Sequence, residues 1–306
     1  MVPVLHTTLG PMSLQEIGMM LSHEHVFTDL RTEADPSFGI ADKRDVVTTR
    51  FPALLAAKKA GLDVIVECTP VGVARNAAYL LAVSMAAQYP LVVPTGVYRE
   101  PWLPRWVREA EEASLEAWMR GELDGNIGGT GVRAAWIKLS AGDGGMTEQE
   151  EKVLRAAARA GAATGAVIGS HTIRGTTVRH QLQVLEESGY RADRFIWIHT
   201  QAEPDFALHL EMAKRGVWIS YDNIGASGKD DWYVDMLLRM LEAGFTDQLL
   251  LSHDRGWYDP AKPHGGIPEP FTYLPERFLP KLRASGVDEA TIRRLMRDNP
   301  FRAFSR

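Results

Sequence analysis

The chain has 306 residues, of which 45% are hydrophobic and 24% charged, and its 34 basic and 39 acidic residues give a formal net charge of −5. This composition is typical of a folded globular protein and excludes a disordered chain, and the slight acidity gives no reason to expect nucleic acid as a partner. The length allows two domains or one large α/β barrel.

Eight short apolar runs alternate with longer stretches of helical periodicity. The runs span residues 19–23, 64–68, 91–96, 134–139, 166–170, 195–199, 217–221 and 248–252. Several are continuously apolar, which is typical of parallel strands covered on both faces. Because strand and helix alternate eight times without a linker, the sequence predicts an α/β protein, a single-domain (β/α)8 TIM barrel over residues 1–306. A doubly wound open sheet is the main alternative.

Two helices have predicted ends. Thr147 and Glu150 form the S/T-x-x-E pattern that opens a helix, and the helical pattern after them stops near Gly161. The last helix is predicted to start after Asp288 and to end before Asn299-Pro300, because proline is disfavoured in a helix interior.

The amino-terminal segment and the cysteine content bear on location. The first ten residues lack a basic stretch followed by an apolar one, so we expect no secretory signal. No run approaches 18 consecutive apolar residues, so we expect no membrane-spanning helix. Cys68 is the only cysteine and cannot form an internal disulfide, which fits a reducing compartment. The sequence therefore predicts a cytoplasmic protein without a membrane partner.

Polar side chains stand where five of the predicted strands end. They are His23, His25, Lys138, His171, His199 and Asp254. In an α/β barrel the active site lies at the carboxyl ends of the strands. In His-x-His on an extended segment the two imidazoles share a face, and Glu24 between them points the other way. Each residue alone could be structural, but the conjunction on five strands favours metal binding.

Six ligands suit two metal ions better than one tetrahedral ion. His23, His25 and Asp254 would hold one ion, and His171 and His199 the other, with Lys138 between them. A buried lysine with a lowered pKa can react as the free amine with carbon dioxide, and the two oxygens of the resulting carbamate can bridge two cations. These ligands suit Zn, Co, Mn or Fe(II), and the sequence does not choose among them.

The other five histidines are not predicted to bind metal. His253 precedes the metal-site aspartate and should point into the barrel wall. The remaining four are predicted to be surface or structural residues: His6, His180, His209 and His264.

Motifs along almost the whole chain resemble the phosphotriesterase family of the amidohydrolase superfamily. In order they are Leu9-Gly10-Pro11, Leu21-Ser22-His23-Glu24-His25, Ile137-Lys138, Ser170-His171-Thr172, Ile198-His199, Ser252-His253-Asp254 and Asn299-Pro300. The resemblance implies a binuclear metal centre with a carboxylated lysine at Lys138, and it favours a homodimer.

Two positions depart from the family pattern. The phosphotriesterases proper carry a histidine after the seventh strand and a carboxylate soon after the sixth-strand histidine, which form a proton relay behind the metal-site aspartate. Asn223 stands where that histidine is expected, and Ala202 stands near the expected carboxylate. Glu203 or Asp205 could substitute, although neither aligns cleanly. These departures count against efficient triester hydrolysis as the native task.

Tyr98 points toward lactones. It ends the third strand as in the phosphotriesterase-like lactonases, where the hydroxyl lies beside the metals and can polarise a ring carbonyl. The alternative is an aromatic side chain at the barrel rim.

A long segment, residues 255–273, follows the metal-site aspartate, and loops of this length are usually functional. Its four aromatic side chains are predicted to wall a substrate pocket or to form a dimer contact: Trp257, Tyr258, Phe271 and Tyr273. Arg255 could meet an anionic group of the substrate, and Asn223 is predicted to lie in the same pocket. Trp102 and Trp106 could serve the pocket or an interface.

Together these features predict a hydrolase with a small-molecule substrate. It would open lactones by attack of a hydroxide shared by two metal ions, with promiscuous organophosphate triesterase activity. Asp254 would accept the proton and pass it to the leaving alkoxide, and Tyr98 would assist at the carbonyl. The alternatives are a hydrolase of another carboxylic ester, of an amide or of a phosphorylated sugar lactone, and, in another class, a non-catalytic barrel that binds a small molecule. Retention of all six ligands favours an enzyme.

Overall fold

The computed structural model describes residues 2–226 and 228–306. Its strands are β1 (Leu5–Thr7), β2 (Gly10–Met12), β3 (Met20–Phe27), β4 (Val64–Glu67), β5 (Leu91–Val92), β6 (Pro94–Thr95), β7 (Trp136–Ser140), β8 (Ile168–His171), β9 (Phe195–Ile198), β10 (Trp218–Tyr221), β11 (Leu249–Leu251) and β12 (Gly256–Tyr258). Its α-helices are α1 (Lys43–Lys59), α2 (Ala77–Ala87), α3 (Arg105–Glu109), α4 (Glu112–Asp124), α5 (Glu148–Thr164), α6 (Gly175–Glu187), α7 (Phe206–Lys214), α8 (Asp230–Glu242), α9 (Leu279–Ala284), α10 (Glu289–Arg293) and α11 (Asn299–Phe304).

The parallel strands form the predicted barrel. One sheet has the order β11-β10-β9-β8-β7-β6 and the other the order β12-β3-β4-β5. β5 and β6 are the two halves of the third barrel strand, on either side of Val93. Between β3 and β11 the Ser22 hydroxyl donates to the Leu251 carbonyl at 3.1 Å, and the His23 amide donates to the Ser252 hydroxyl at 2.9 Å. The chain is therefore a (β/α)8 barrel, and helices cover its outer face.

Alternation along each strand explains why the runs are apolar throughout. On β9, Phe195 and Trp197 pack in the layer between sheet and helices, whereas Ile196 and Ile198 belong to the separate cluster that fills the barrel interior. Both faces are thus removed from water, as expected for a parallel sheet. Phe301 and Phe304 of α11 join the interior cluster and close the barrel at the amino ends of the strands.

The first barrel strand is longer than predicted. The sequence predicted a strand over 19–23, but β3 continues to Phe27. Its second half is held by β12, because Gly256 pairs with His25, and the His25 amide donates to the Arg255 carbonyl at 2.7 Å. Both histidines of the His-x-His motif therefore lie on a rigid strand instead of a loop.

Two predicted helix ends are wrong. α5 has the predicted capping box at Thr147 but runs past Gly161 to Gly165, which caps it in the left-handed conformation. Gly161 lies inside the helix because Tyr190 packs against it, at 2.7 Å from where a Cβ would stand. The last helix begins after Asp288 as predicted, yet the chain continues through a π-helical turn (Arg294–Asp298) into α11, with Pro300 in its first turn, where no amide donor is needed.

Among the residues that the structure describes, no helix combines the length and the apolar character needed to cross a lipid bilayer.

Candidate metal centre

A small cavity of about 60 Å³ lies at the carboxyl ends of the barrel strands. All six predicted ligands line it: His23, His25, Lys138, His171, His199 and Asp254. The barrel thus brings together side chains that are far apart in the sequence. Behind the cavity, for example, the Arg255 amide donates to the carboxylate of Glu24, which lies 231 residues earlier in the chain.

The first group of ligands surrounds the Asp254 carboxylate. Its Oδ1 lies 3.1 Å from His25 Nε2 and 3.4 Å from His23 Nε2. Burial raises the pKa of this carboxyl, but the imidazoles of His23 and His25 outweigh burial and hold the pKa well below its usual range. Asp254 is therefore an anion at neutral pH, as a cation ligand must be.

The second group consists of His171 and His199, whose ring centroids lie 4.4 Å apart. The ring of His199 also lies 5.1 Å from that of His23, so the two groups adjoin. Burial first, and then the neighbouring His199 and Lys138, lower the pKa of His171 well below its ordinary value. A neutral imidazole offers the lone pair that a metal ion needs.

Unsatisfied buried atoms provide a test of whether a cation fits. Among the described residues, Asp254 Oδ1 makes no hydrogen bond of acceptable geometry, although it is buried. One ligand atom each from His23, His199 and Asp254 lies within 4.8 Å of the others. Buried polar atoms without partners are costly, and convergent nitrogen and carboxylate donors suit divalent transition metals. The donor set fits a metal centre.

Lys138 lines this cavity with 2% of its surface exposed. Its burial lowers the pKa of the ammonium, although Cys68, Asp254 and Asp222 oppose that shift. Gly96 lies directly opposite on the neighbouring strand, where a Cβ would overlap the Lys138 carbonyl. Close strand packing therefore fixes the lysine backbone, and burial favours the amine.

Two of the predicted ligands in this cavity have unusual backbone conformations. His199 has φ 66° and Asp254 has φ 57°, both in the left-handed region that non-glycine residues seldom adopt. His199 directly follows β9 and Asp254 stands three residues after β11, where the chain turns away from the barrel while both side chains still line the cavity. Such strain persists only where the surrounding structure determines it, and it concentrates at functional sites.

Asp222 is a site residue that the sequence analysis missed. It is fully buried directly after β10, and its Oδ1 lies 2.6 Å from His199 Nδ1 while its Oδ2 lies 3.4 Å from His23 Nδ1. Burial raises the pKa of its carboxyl, but the neighbouring His199 and His23 hold that pKa well below its ordinary value. By binding Nδ1, Asp222 directs Nε2 of His199 toward the cavity. Its position one residue beyond a strand was the available signal.

Other buried groups orient His25. Its Nδ1 lies 2.7 Å from the Thr69 hydroxyl and 3.1 Å from the Thr28 hydroxyl, which leaves Nε2 facing Asp254. On the other side, the indole of Trp257 packs at 4.5 Å between ring centroids.

Glu24 points away from the cavity, as the strand alternation predicted. Its carboxylate accepts hydrogen bonds from the Ser252 hydroxyl, from the amide and Nδ1 of His253 and from the Arg255 amide, at 2.8 to 3.0 Å. His253 is fully buried, and its Nε2 accepts from the Leu274 amide at 2.7 Å. Glu24 and His253 thus anchor the segment that carries Asp254.

Tyr98 lines the cavity as well. Its hydroxyl lies 3.3 Å from His171 Nδ1. Burial raises the pKa of this phenol, so that it remains protonated and able to donate a hydrogen bond at neutral pH. Trp102 packs against the ring of Tyr98, with centroids 5.4 Å apart.

A second, wider depression opens beside the cavity and shares His199 and Asp254 with it; we call it the outer depression. Its volume is about 650 Å³. Asn223 lies in its wall, in the predicted position, together with Gln201, Lys229 and Trp232. The outer depression therefore has room for a substituent of the substrate. The small cavity lined by the six predicted ligands, which we call the inner cavity, does not have this room.

The long loop after Asp254 contributes less to the site than predicted. Of its aromatic side chains only Trp257 lines the inner cavity. Tyr258 and Phe271 are instead buried in the hydrophobic core, Tyr258 because it bonds Asp45 on α1 and Phe271 because it lies under the guanidinium of Arg50. Their predicted role as pocket walls is therefore corrected.

Tyr273 and Arg255 lie behind the outer depression. The Tyr273 hydroxyl bonds Asp230 at 2.8 Å, and its ring packs under the Arg255 guanidinium. Arg255 donates to the Gly225 carbonyl at 2.5 Å. Neither residue is among those that line the two cavities. In this structure both side chains contact neighbouring loop residues instead, which corrects the expectation that they contact substrate.

The carboxylates considered for a proton relay do not reach Asp254. Glu203 is buried but accepts from the amides of Gly175 and Asp205. Asp205 caps α7 through the Ala207 amide. The departure from the phosphotriesterase pattern at Asn223 and Ala202 therefore has no compensating carboxylate among these two.

The remaining histidines lie outside the cavity. His209 is buried between the Tyr221 hydroxyl and the Glu203 carbonyl. His6 is on β1, His180 faces Glu151 on the surface and His264 bonds Asp45.

Comparisons with known proteins agree with this architecture. Residues 3–304 match the model of the Phosphotriesterase family. The chain is 28% identical to a phosphotriesterase homology protein of Mycobacterium tuberculosis, over 100% of this chain and 98% of that protein. It is 27% identical to an aryldialkylphosphatase of Saccharolobus solfataricus, over 95% and 96%. A crystal structure of a Deinococcus radiodurans PTE-like lactonase mutant superposes with a TM-score of 0.88 at 30% identity, covering 98% of this chain and 99% of that one.

Proposed function

The chain belongs to the phosphotriesterase family and is a metal-dependent hydrolase; from that premise we propose that it opens lactones, with weak side activity on organophosphate triesters. The observation that carries the proposal is the convergence of six metal-ligating or carboxylatable side chains, with the Tyr98 hydroxyl, on one cavity. The likeness to a PTE-like lactonase supports the same reading.

We assign the ligands of two divalent transition metal ions to the cavity. His23, His25 and Asp254 would hold one ion, and His171 and His199 the other. Zinc, cobalt, manganese and iron(II) all suit these donors. When bound, such a pair would lower the pKa of a water molecule toward neutrality and withdraw electrons from the substrate carbonyl.

Lys138 would join the two ions as a carbamate. Its neutral amine forms a nitrogen–carbon bond to carbon dioxide and releases one proton, which leaves an anion with two oxygens. Burial of Lys138, which lowers the pKa of its ammonium, supplies the amine that this reaction requires. No other lysine lines the cavity among the described residues.

Asp254 is proposed to move the proton. Its carboxylate is ionised and lines the cavity beside both histidines of the His-x-His motif. It would accept the proton of the attacking water and deliver it to the ring oxygen as the acyl carbon–oxygen bond breaks. In a lactone this oxygen remains tethered to the acyl carbon, so one carboxylate can serve both steps.

Tyr98 is proposed to hold the carbonyl oxygen. Its hydroxyl is protonated, faces His171 and stands beside the cavity, so it can donate a hydrogen bond where negative charge develops. The phosphotriesterases proper use a proton relay behind the metal-site aspartate, and Asn223 stands where the histidine of that relay is expected. This is why we assign triesters to side activity.

The experiment is a lactone panel of graded chain length, assayed with cobalt- or zinc-loaded protein beside an organophosphate triester. We expect lactones to give the higher kcat/KM, and Asp254→Asn to abolish turnover while circular dichroism and Tm stay close to those of the parent protein. Triester turnover above lactone turnover would contradict the assigned substrate. Near-normal activity of Asp254→Asn would contradict the assigned proton path.

We further propose one domain over residues 1–306, a homodimer and a reducing compartment such as the cytoplasm. Met1 and Ser227 lie outside the described residues. The exposed indole of Trp106, 43% accessible and packed edge-on against Trp118, suits a contact between subunits. Buried Cys68, a free thiol, suits the reducing compartment.

A further inference from the structure

The inner cavity is too small for a whole substrate. Its volume of about 60 Å³ compares with the several hundred cubic ångströms typical of ligand sites. The outer depression, at about 650 Å³, shares His199 and Asp254 with it. A substrate whose carbonyl reacts in the inner cavity therefore extends its substituent into the outer depression.

The wall of the outer depression combines apolar side chains, among them Ile173 and Tyr233, with hydrogen-bonding and charged groups. Gln201 and Asn223 present amides, and Lys229 presents an ammonium. The indole of Trp232, 39% exposed, is its largest accessible apolar surface. Pockets for apolar ligands are lined mainly by hydrophobic side chains, with few polar groups. This wall suits a substituent that accepts hydrogen bonds.

Several acidic side chains near the outer depression are already paired with other groups. Asp230 and Asp231 follow Lys229 directly, but Asp230 bonds the Tyr273 hydroxyl and Asp231 pairs with Lys281, each at 2.8 Å. Asp222 is bound to His199 and to the side chain of Gln201. The two acidic residues that follow Lys229 in the sequence thus have partners of their own. Asp254 also lines the outer depression, with its Oδ1 beside His25 and His23.

A second positively charged side chain, Arg174, contacts a residue of this wall. Arg174 is exposed after β8, and one guanidinium nitrogen donates to the carbonyl of Ala202, itself a wall residue, at 3.3 Å. A guanidinium has five donors in a fixed fork, so further donors remain for a ligand. Lys229 and Arg174 therefore bring positive charge to the outer depression from different elements.

We propose that the outer depression binds an anionic substituent of the substrate, a carboxylate or a phosphate, with Lys229 as its principal partner and Arg174 as a second one. This inference rests on the proposed function, because it takes the reacting carbonyl to lie in the inner cavity. It adds that the native lactone carries a negative charge at the end remote from the ring oxygen.

The experiment compares three γ-lactones with side chains of equal length that end in a methyl group, a carboxylate or a phosphate monoester. In Lys229→Met, kcat/KM is expected to fall about five- to tenfold for an anionic lactone and to change less than twofold for the alkyl lactone. Lys229→Arg should retain most of the preference, and Arg174→Met should reduce it by a smaller factor. The larger loss, carboxylate or phosphate, identifies the anion.

The matched control is Lys214→Met, which removes an exposed lysine from the end of α7. It removes one positive charge, as Lys229→Met does, but outside the outer depression. It should leave all three lactones within twofold of the parent protein. Equal losses in Lys214→Met and Lys229→Met would overturn the inference, because the effect would then be one of overall charge. A parent protein that prefers the alkyl lactone would overturn it as well.

Two further measurements separate this inference from the proposed function. The 4-nitrophenyl esters of pentanoic and glutaric acid present the same charge contrast without a lactone ring. Turnover of the esters alone, with a charge preference that Lys229→Met removes, would refute lactone opening and support the anion site. Calorimetry can measure how tightly the protein binds the hydroxy acids formed from the alkyl and carboxylated lactones, which repeats the comparison without turnover. Equal affinities of the parent protein for these two hydroxy acids would overturn the anion site.

Discussion

Replacing Asp222 by asparagine should loosen the metal centre without removing a ligand. Its Oδ1 accepts from His199 Nδ1 at 2.6 Å and from Gln201 Nε2 at 2.9 Å, and its Oδ2 accepts from the Ser220 hydroxyl at 2.7 Å and from the His199 amide at 3.0 Å. An amide has one oxygen, so it can satisfy only one of these pairs as an acceptor. The Ser220 hydroxyl can rotate to accept from the new amide nitrogen, but the His199 amide cannot.

The expected loss of stability follows from the hydrogen bonds that asparagine cannot accept. One buried backbone amide without a partner costs about 1–3 kcal/mol, and weakening the bond to His199 from charged to neutral costs roughly another 1 kcal/mol. We therefore expect about 2–4 kcal/mol of lost stability, which lowers the Tm by about 3–6 °C in a chain of this size. Because partners that orient a metal-ligating histidine contribute 10- to 100-fold to metal affinity, we expect a loss of about that size.

The assay is a competition for zinc between the protein and a chelator, with Tm measured on the same samples. The control is Ile219→Ala, which truncates a fully buried side chain next to Ser220 on β10 at a cost of about 2–5 kcal/mol. It should destabilise the fold to a similar extent while leaving zinc affinity within about threefold. An unchanged zinc affinity in Asp222→Asn, or an equal loss in Ile219→Ala, would refute the reasoning.

Three further changes test other parts of the account. Tyr98→Phe should lower kcat/KM for lactones by about 10- to 100-fold and for triesters by much less, and equal losses would remove the carbonyl role. Gly96→Ala, whose Cβ would overlap the Lys138 carbonyl at φ 105°, should cost about 3 kcal/mol or more in chemical unfolding, against about 1–2 for Gly244→Ala, which has a similar φ of 84° and open space. Burial, with Arg133 and Arg306, lowers the pKa of His6 to about 4, so the unfolded chain binds a proton first as pH falls below 6.5. The parent protein should therefore lose about 1–2 kcal/mol between pH 6.5 and 4, a value reduced for the partly exposed position, and His6→Gln should lose less; parallel pH profiles would contradict this.

The convergence of the six side chains on one cavity could be predicted from the sequence because it depends on short-range geometry. A His-x-His pair on a strand shares a face whatever the rest of the fold does, and parallel strands bring their carboxyl ends to one edge. Glu24 follows from the same alternation. The predicted barrel needed no more than the repeated order of strand and helix.

Other features depend on contacts that the sequence does not encode locally. Tyr258 and Phe271 lie in the core because α1 presents Asp45 and Arg50 to them, more than 200 residues earlier in the chain. The role of Asp222 depends on its contacts with His23 and His199, which come from other strands of the barrel. Pro300 is accommodated because a π-helical turn precedes it, which the helical pattern alone does not indicate.

The metal content of the purified protein tests the central claim most directly. After growth with supplemented zinc or cobalt and removal of loosely bound ions, elemental analysis should find close to two equivalents of transition metal per chain. Lys138→Ala, prepared in parallel, should retain clearly less than the parent protein. Fewer than one equivalent in the parent protein would contradict a binuclear centre built from these six side chains.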